Sequence, residues 1–319
     1  MNSSSNPWAA IDAPSGNGLN VLRVDPASRQ SFYWARKPDS RLALLLVLQQ
    51  DPGPVGVLPL LRGIEVVWVP QQRQFQLVLE KLSDREIFYV LCQDLMHGAA
   101  AAFDDVLCMQ AVLARLAKWQ QLLSRGAPRV LADHEIRGLH AELLLLRDHA
   151  MPRYGALAVE FWRGPAGFTQ DFAVDQVVIE VKAHLAGSAP EVPISSVDQL
   201  WVQAGVLYLW VENLALSPDS GESLPQIIGS IRAGLDGNAA MLEMFESRLQ
   251  DIGYLPFPAY EDIRYLAVDT QTFAVVPGFP RINPAQVPVG VVDLKYSIRL
   301  PQLAAFATVV NWPVVGVCQ

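Results

Sequence analysis

The amino-acid sequence predicts a mixed α/β protein in which a β-rich first domain precedes a core of the order α-β-β-β-α-β. Short β-rich runs separated by turn residues fill much of the first half, whereas helical periodicity surrounds a pair of adjacent strands in the second half. The Ser-Arg-Gly-Ala-Pro segment at 124–128 interrupts a helix between the halves. Because 319 residues accommodate two domains, we predict domains at 1–125 and 126–319.

The first predicted domain is a β-rich meander that ends in a helix. The helix should span about 104–124, because apolar residues recur there at helical spacing and Asp104 and Asp105 suit its N-terminus. The strands predicted before it are 42–49, 65–69, 75–79 and 87–92.

The second predicted domain begins with a helix that Asp133 caps and that runs to about residue 149, with leucine and isoleucine along one side. The core continues with a strand at 158–162, a strand pair within 169–185, a short helix at 196–204 and a strand at 206–211. A C-terminal helical and β extension follows, with helices at 224–235 and 239–252 and β-rich segments at 265–276 and 291–299.

The composition is that of a globular protein with sizeable cores: 51% of the residues are hydrophobic, 18% are charged, and the mean hydropathy is +0.21. The longest uncharged apolar run, 42–50, is shorter than the roughly 20 residues that span a bilayer. The first residues lack the basic and apolar regions of a secretory signal. We therefore expect a cytoplasmic protein that does not enter the membrane.

Two further features restrict the function. Cys92, Cys108 and Cys318 are too far apart for a zinc site and odd in number, so we expect reduced thiols, the first two in the core. The net charge of -8 and the pI near 5.1 exclude general attraction of nucleic acid by the whole surface. Contact with DNA would need a local basic patch, a partner or bound cations.

The segment 170–182, Gln-Asp-Phe-Ala-Val-Asp-Gln-Val-Val-Ile-Glu-Val-Lys, carries the candidate chemistry. Because side chains alternate between the faces of a strand, Asp171, Glu180 and Lys182 would share one face, and the other face would be wholly apolar. Across a two-residue turn at 175–176, the expected pairs are Val174 with Val177, Ala173 with Val178, Phe172 with Ile179, and Asp171 with Glu180.

Two carboxylates at opposite positions repel each other by up to about 1 kcal/mol, which indicates a compensating cation. Mg²⁺ (or Mn²⁺) fits, because it takes carboxylate oxygens together with water. Lys182, two residues after Glu180, could orient or activate a water molecule on that cation. Two carboxylates, a lysine and a metal predict hydrolysis of phosphodiester bonds.

Glu142 is a candidate for an additional metal or metal-water ligand. In the predicted helix it has leucines at positions i-3, i+3 and i+4, so its carboxylate emerges among apolar side chains. A carboxylate in such surroundings stays protonated or binds a cation.

These motifs resemble the PD-(D/E)XK nuclease superfamily and, more narrowly, the bacterial PD-(D/E)XK motif proteins that form domain of unknown function 4420. The resemblance covers nearly the whole chain. It is carried by Gly-Leu-His-Ala-Glu-Leu-Leu-Leu at 138–145, Gln-Asp-Phe at 170–172, Ile-Glu-Val-Lys at 179–182, Ile-Ser-Ser-Val-Asp-Gln-Leu at 194–200 and Phe-Pro-Arg-Ile at 279–282.

The resemblance implies a restriction-endonuclease-like fold and a magnesium-dependent DNA-cleaving core. Asp171, Glu180, Glu142 and the backbone carbonyl of Val181 would bind the metal, and Lys182 would act on the nucleophilic water. It also implies that the protein acts together with other proteins of an anti-phage or restriction-modification-like defence cassette, such as an ATPase or an abortive-infection-type protein. Assembly into a homo-oligomer is a further possibility. Gln170 departs from the proline in the motif's name.

Candidate substrate-binding residues are Ser195, Gln199 and His184. Gln199 and Gln203, spaced i and i+4 on the predicted helix, could face the metal and contact a phosphate or base. His184 lies on the Lys182 face of its strand, although an ordinary hydrogen-bonded histidine is the alternative. A phosphate-contacting patch could come from a set of basic residues, the alternative being that they are scattered over the surface: Arg125, Arg129, Arg137, Arg153, Arg163, Arg281, Lys295 and Arg299.

Other structural alternatives remain open. Asp171, Glu180 and Lys182 could form a solvated sheet face in which Lys182 pairs with Glu180. Asp175 is most simply a turn residue, and Ser196 with Gln199 matches a helix capping box.

The sequence thus predicts a Mg²⁺-dependent DNA endonuclease or other deoxyribonuclease. The alternative is a non-catalytic DNA- or protein-binding scaffold subunit that retains the nuclease fold, which would suit an acidic chain.

Overall fold

The computed structural model describes residues 6–124 and 129–314. Its backbone divides into two compact units, Met1–Arg129 with Leu255–Phe257, and Val130–Tyr254 with Pro258–Gln319. The predicted domain boundary between residues 125 and 126 lies outside the described residues and stays a prediction. Within the described part of the chain, no helix is long and apolar enough to cross a membrane.

The first unit contains an antiparallel sheet followed by two helices, α1 (Arg85–Ala99) and α2 (Asp105–Ser124). The sheet has the strand order β1-β2-β3-β5-β4. The five strands are β1 (Asn20–Arg23), β2 (Ser31–Arg36), β3 (Leu42–Val47), β4 (Ile64–Val69) and β5 (Gln74–Leu79).

One strand predicted in this unit is wrong, because residues 87–92 belong to α1. The apolar pattern of this segment extends beyond it to Leu95. Phe88, Leu91 and Leu95 are buried at positions i, i+3 and i+7, which is helical spacing. Cys92 and Cys108 are buried free thiols, as predicted; Cys318 lies outside the described residues.

The second unit is built on a mixed sheet with the strand order β10-β11-β9-β7-β6, in which β7 and β9 are parallel and the other pairs are antiparallel. A separate antiparallel pair joins β8 to β12. The strands are β6 (Phe172–Val174), β7 (Val177–Leu185), β8 (Glu191–Ile194), β9 (Val206–Leu216), β10 (Glu222–Ser223), β11 (Arg264–Ala274) and β12 (Tyr296–Arg299).

Five helices accompany these strands in the described part of the second unit. The first, α3, continues through a π-helical segment, Leu145–Ala150, into α4, so the predicted helix is present but not regular. Its N-cap is Ala132 rather than Asp133, which is the first helical residue. The helices are α3 (Asp133–Leu144), α4 (Met151–Tyr154), α5 (Ala158–Phe161), α6 (Leu224–Gly234) and α7 (Ala239–Asp251).

The predicted mixed α/β fold class is confirmed, with two corrections inside the core. The expected strand at 158–162 is the short helix α5, where Ala158, Val159 and Trp162 are buried at positions i, i+1 and i+4. Trp162 alone forms a bridge to Phe172. Of the three consecutive strands predicted for the core, the first is therefore reduced to one bridging residue, and the other two are β6 and β7.

The second correction concerns residues 196–204, which form only a 3₁₀ turn, Val197–Leu200, instead of a helix. The chain becomes extended at Trp201, and Gly205 adopts a left-handed φ of +94° before β9 begins. Ser196 caps the turn by accepting a hydrogen bond from the Asp198 N–H at 3.2 Å. The short turn removes the i, i+4 relation that was expected to bring Gln203 beside Gln199.

The hairpin that carries the candidate chemistry has the predicted register. Val174 pairs with Val177, and the next two pairs also match the expectation. The fourth expected pair, Asp171 with Glu180, is not part of the strand pairing, because β6 begins at Phe172. Asp175 occupies the turn with a φ of +50°. One face of the hairpin is wholly buried and apolar, as predicted: Phe172, Val174, Val177, Ile179 and Val181. On the opposite side Val178 packs against a cluster that includes Leu200, Leu207 and Leu209.

Candidate active site

Asp171 lies one residue before β6, where backbone hydrogen bonds fix it from two directions. Its carbonyl accepts hydrogen bonds from the N–H of Arg163 at 2.6 Å and of Gly164 at 3.1 Å. Its Oδ2 accepts a hydrogen bond from the N–H of Val181 on β7 at 2.7 Å. The Asp171 side chain is therefore held against the strand that carries Glu180 and Lys182.

Glu180 is the most enclosed of the predicted site residues, with 1% of its side chain exposed. Its Oε1 forms an ion pair with Lys182 Nζ at 2.7 Å, while its Oε2 has no hydrogen-bond partner among the described residues. Burial raises the pKa of Glu180 well above its usual range, and Asp171 adds to this, whereas Lys182 opposes it. This burial is incompatible with a solvated sheet face.

Glu142 reaches the same region from α3. Its Oε2 accepts a hydrogen bond from the indole N–H of Trp162 at 2.7 Å. Burial raises the pKa of Glu142 to about 8, and the charge of Asp171 also raises it. The Trp162 hydrogen bond and the Lys182 charge act in the opposite direction and lower this pKa. Burial likewise raises the pKa of Asp171 to about 6.

Gly164 leaves the space between two of these carboxylates open. A Cβ atom at this position would lie 2.8 Å from Asp171 Oδ1 and 3.5 Å from Glu142 Oε2. The first distance is too short for a real Cβ contact, so any side chain here would push against the Asp171 carboxylate. Gly164 therefore marks the place where Asp171 and Glu142 converge.

Lys182 has a second partner besides Glu180. Its Nζ donates a hydrogen bond to Gln199 Oε1 at 3.2 Å, and the Ser195 N–H donates to the same oxygen at 2.8 Å. Gln199 thus lies beside the predicted site, and Ser195 reaches it through its backbone. The Gln199 N–H donates a hydrogen bond to the Ser196 carbonyl at 3.2 Å. The Gln199 side chain, however, accepts from the Ser195 N–H and not from the Ser196 N–H, so the predicted capping box is not formed.

A sequence model of the family described as "Putative PD-(D/E)XK family member, (DUF4420)" matches residues 4–301. The chain belongs to this family. The predicted resemblance is thereby confirmed, and the mixed α/β architecture is consistent with a PD-(D/E)XK-like, nuclease-like fold. No significant match to this chain was found among curated proteins or solved structures.

The residues that match the PD-(D/E)XK motif fit a small, hard cation in their chemistry. They offer carboxylate oxygens, which Mg²⁺ and Mn²⁺ prefer. Glu180 Oε2 is buried without a hydrogen bond, and Gly164 keeps space beside Asp171 Oδ1. A cation would offset the mutual repulsion that contributes to the raised pKa values of Glu142 and Glu180.

The site is nevertheless not arranged as a preformed metal centre. Among the described residues, no group of three or more His, Cys, Asp or Glu side chains is positioned to hold a metal ion. Lys182 forms an ion pair with Glu180 Oε1, and the Val181 N–H donates a hydrogen bond to Asp171 Oδ2, so neither oxygen is free for a metal. The contact observed for Val181 is made by its N–H group, whereas the resemblance implied a role for its carbonyl.

His184 belongs to a local network at the end of β7. Its Nδ1 lies 2.9 Å from Asn213 Oδ1, and its Nε2 lies 3.1 Å from the Ala189 carbonyl. In the described part of the chain, no hydrogen bond joins His184 to the carboxylates or to Lys182. The structure thus gives it the ordinary hydrogen-bonded environment that was the alternative to substrate contact.

The predicted basic residues have different surroundings, and Arg163 hydrogen-bonds to a predicted site residue, Asp171. Its backbone holds Asp171, and its guanidinium lies 5.4 Å from the centre of the Phe168 ring. Arg153 packs over Trp312, and Arg281 donates to the Leu200 carbonyl at 2.6 Å. Arg125 lies outside the described residues.

Three residues of the site were not predicted: Trp162, Gly164 and Gln170. Trp162 bonds to Glu142, Gly164 leaves space for Asp171, and Gln170 hydrogen-bonds to the turn that carries Gln199. The Trp-Arg-Gly-Pro sequence at 162–165 was the available signal, because a Gly-Pro pair indicates a turn. Its location next to Asp171 depends on tertiary contacts that spacing does not reveal.

Proposed function

We propose that this protein is a metal-dependent hydrolase of phosphodiester bonds in DNA. The observation that carries the proposal is the convergence of Asp171, Glu142 and the Glu180–Lys182 ion pair at one end of the β6–β7 hairpin. Membership of the PD-(D/E)XK family supports it, because the superfamily consists generally of nucleases.

The proposed roles follow from the surroundings of each side chain. Asp171, Glu180 and Glu142 would hold Mg²⁺ or Mn²⁺, which when bound would polarise a phosphoryl oxygen and offset the charge of the carboxylates. Lys182 would donate N–H groups that orient the attacking water, since an ammonium group offers three donors and no acceptor. Trp162 would keep the Glu142 carboxylate directed into the site through its indole hydrogen bond.

Contact with DNA requires a local feature, given the net charge of -8. Arg163 is a suitable group, because its guanidinium forms no ion pair with any described residue and it is adjacent to Gly164. Phe168, over which it lies, is 58% exposed. We propose that Arg163 contacts a backbone phosphate and that the Phe168 ring packs against the nucleotide beside it.

The direct test is cleavage of linear and supercoiled DNA with Mg²⁺ or Mn²⁺, by the chain alone and together with the products of neighbouring genes. Asp171→Ala and Lys182→Ala should each lower the rate by about 100-fold or more, as expected for groups acting at the reacting atoms. Asp175→Gly is the matched control, since it changes the hairpin turn and should cleave like the parent. Equal cleavage by all these proteins would reject the proposed residues.

A non-catalytic scaffold is the second candidate, favoured by the Glu180–Lys182 ion pair and by the lack of a preformed metal centre among the described residues. Calorimetric titration with Mn²⁺ distinguishes the two. The nuclease should bind Mn²⁺ and lose that binding in Glu180→Gln, whereas a scaffold should give no heat of binding in either protein.

We also propose, on the family resemblance alone, that the protein works in a bacterial defence cassette with partner proteins. A plaque assay on cells carrying the neighbouring genes tests this. Replacing Asp171 by Ala in the cassette should restore phage growth, and full protection by the variant would contradict a role for the site.

A further inference from the structure

Gln170 stands where the motif's name has proline, and its side chain fastens a neighbouring turn to the site. Its Nε2 donates hydrogen bonds to the carbonyls of Asp198 at 2.6 Å and Trp201 at 3.1 Å. Asp198 lies within the 3₁₀ turn Val197–Leu200, and Trp201 follows it directly. A proline has no amide with which to make either bond.

The turn that Gln170 holds carries Gln199, whose Oε1 is the shared acceptor for the Lys182 ammonium and the Ser195 N–H. The bond from Ser195 comes from the backbone just after β8, so it fixes the amide oxygen at a defined place. Arg281 provides a second anchor for the turn by donating to the Leu200 carbonyl at 2.6 Å.

Lys182 lies between two oxygens: Glu180 Oε1, its ion-pair partner at 2.7 Å, and Gln199 Oε1, which accepts its hydrogen bond at 3.2 Å. A lysine side chain has a flexible four-carbon stem, so the position of its ammonium is set by the groups that accept its hydrogen bonds. Only 12% of the Lys182 side chain is exposed, which leaves little room for water to replace a lost acceptor. The turn therefore decides where the ammonium lies relative to Glu180.

We propose that Gln170 and Gln199 are positioning residues for Lys182: Gln170 holds the turn in place, and Gln199 on that turn fixes the ammonium beside Glu180. The catalytic consequence rests on the proposed function, whereas the positioning itself does not. No hydrogen bond joins either glutamine to the carboxylates of Glu142, Asp171 or Glu180 in the described chain. Their loss should therefore affect turnover and leave metal affinity intact.

The first experiment needs no activity. The chain has five lysines, so full-length protein labelled with ¹³C at the lysine ε-carbon gives few NMR signals, and Lys182→Met identifies the one of interest. Gln199→Leu, which removes the acceptor, and Gln170→Glu, which removes the amide donor, should both shift and broaden the Lys182 signal. Gln176→Glu introduces the same charge in the exposed hairpin turn and should leave the signal unchanged. An unchanged Lys182 signal in the first two variants would overturn the proposal.

The second experiment compares kinetics and metal binding. Gln170→Glu and Gln199→Leu should lower kcat by about 10- to 100-fold, since a small displacement of a catalytic group costs rates of this order. KM and the Mn²⁺ dissociation constant should change less than about twofold in both. Gln170→Asn keeps the amide donor on a shorter side chain and should retain more of kcat than Gln170→Glu.

The two experiments separate failure of the positioning proposal from failure of the proposed function. If the parent protein does not cleave DNA although Lys182 responds in the NMR spectra, the nuclease assignment fails and the positioning proposal stands. If the parent cleaves and the glutamine variants cleave equally well, or lose Mn²⁺ binding together with turnover, the positioning proposal is overturned.

Discussion

The Asp171, Glu142 and Glu180 carboxylates come together in surroundings that disfavour their charged forms. Burial is the first cause of the raised pKa in each of the three, and their mutual repulsion adds to it for Glu142 and Glu180. Lys182 offsets part of this cost through its ion pair with Glu180. At the scale of single residues, the site therefore accepts protons or cations more readily than isolated carboxylates do.

This electrostatic arrangement predicts how stability depends on pH without metal. The pKa of Glu142 rises from 4.5 to about 8 on folding, so folded protein binds more protons than unfolded protein between these values. Its contribution to stability is complete below pH 4.5 and is lost as the pH rises through 8. Glu142→Gln should thus gain thermal stability over the parent as the pH rises, reaching several degrees in the unfolding midpoint at pH 8.5.

Thermal unfolding of both proteins in chelator between pH 4.5 and 8.5 measures this difference. Gln keeps an acceptor for the Trp162 indole, so the comparison isolates the charge. A difference in midpoint that stays constant across this range would contradict the raised pKa. Adding Mn²⁺ at pH 8 should stabilise the parent and leave Glu142→Gln less affected.

Gly164 gives a second prediction for a single residue. Gly164→Ala should weaken Mn²⁺ binding by about 10-fold or more, because the new Cβ would lie 2.8 Å from Asp171 Oδ1. Its φ is not left-handed, so the backbone itself tolerates alanine. Gly229→Ala is the control, since nothing lies within 4 Å of a Cβ there. Calorimetry showing equal Mn²⁺ affinity in both variants would contradict the role assigned to this space.

At the scale of secondary-structure elements, the β6–β7 hairpin depends on its turn. Asp175 has a φ of +50°, a conformation that aspartate tolerates and β-branched residues avoid. Asp175→Val should therefore lower the free energy of unfolding by about 1–2 kcal/mol, whereas Asp175→Gly should be close to neutral. Denaturant titrations of the two variants measure this, and equal stability of Val and Gly would contradict the turn assignment.

The hairpin was predictable because its information is local: alternating apolar residues fix the faces, and a two-residue turn fixes the register. The elements around the hairpin could not be predicted in this way, because distant contacts determine them. Residues 158–162 look like a strand by composition, yet burial of Trp162 beside Phe245 and hydrogen bonding to Glu142 favour the short helix α5. Likewise, the turn around Gln199 is held by Gln170 and Arg281, which are distant in sequence.

The same distinction applies to the site. Asp171, Glu180 and Lys182 followed from strand alternation, and Glu142 from its position among leucines in α3. The contribution of Gly164 could not be predicted, because it depends on the approach of one loop to a carboxylate on another segment. The contacts of His184 with Asn213 and Ala189 depend on β9 and on the turn after β7, so the strand face of His184 alone could not predict its surroundings.

At the scale of the whole molecule, the charge of -8 limits how DNA can be bound. We expect Arg163 and a bound cation to make most of the phosphate contacts. A plot of the logarithm of the DNA-binding constant against the logarithm of salt concentration should then have a shallow slope of about -1 to -2. Arg163→Ala should make the slope shallower by about 0.9. Arg29→Ala, which removes an exposed arginine of the first unit, should leave the slope unchanged.

Fluorescence anisotropy with a labelled oligonucleotide in Ca²⁺ at several salt concentrations measures these slopes. A slope far steeper than -2, unchanged in Arg163→Ala, would show that DNA is bound by another basic surface. The proposed contact of Arg163 would then be wrong, although the carboxylate site could still be catalytic.

A crystal structure of the full chain with Mn²⁺ would test whether the carboxylates beside Lys182 bind a metal, because the anomalous signal locates the ion. We predict one Mn²⁺ peak within about 2.1–2.2 Å of carboxylate oxygens of both Asp171 and Glu180, with Glu142 adjacent and Lys182 still directed at the site. Mn²⁺ bound elsewhere, with the Glu180–Lys182 ion pair unchanged beside a metal-free Asp171, would contradict a metal site at these residues.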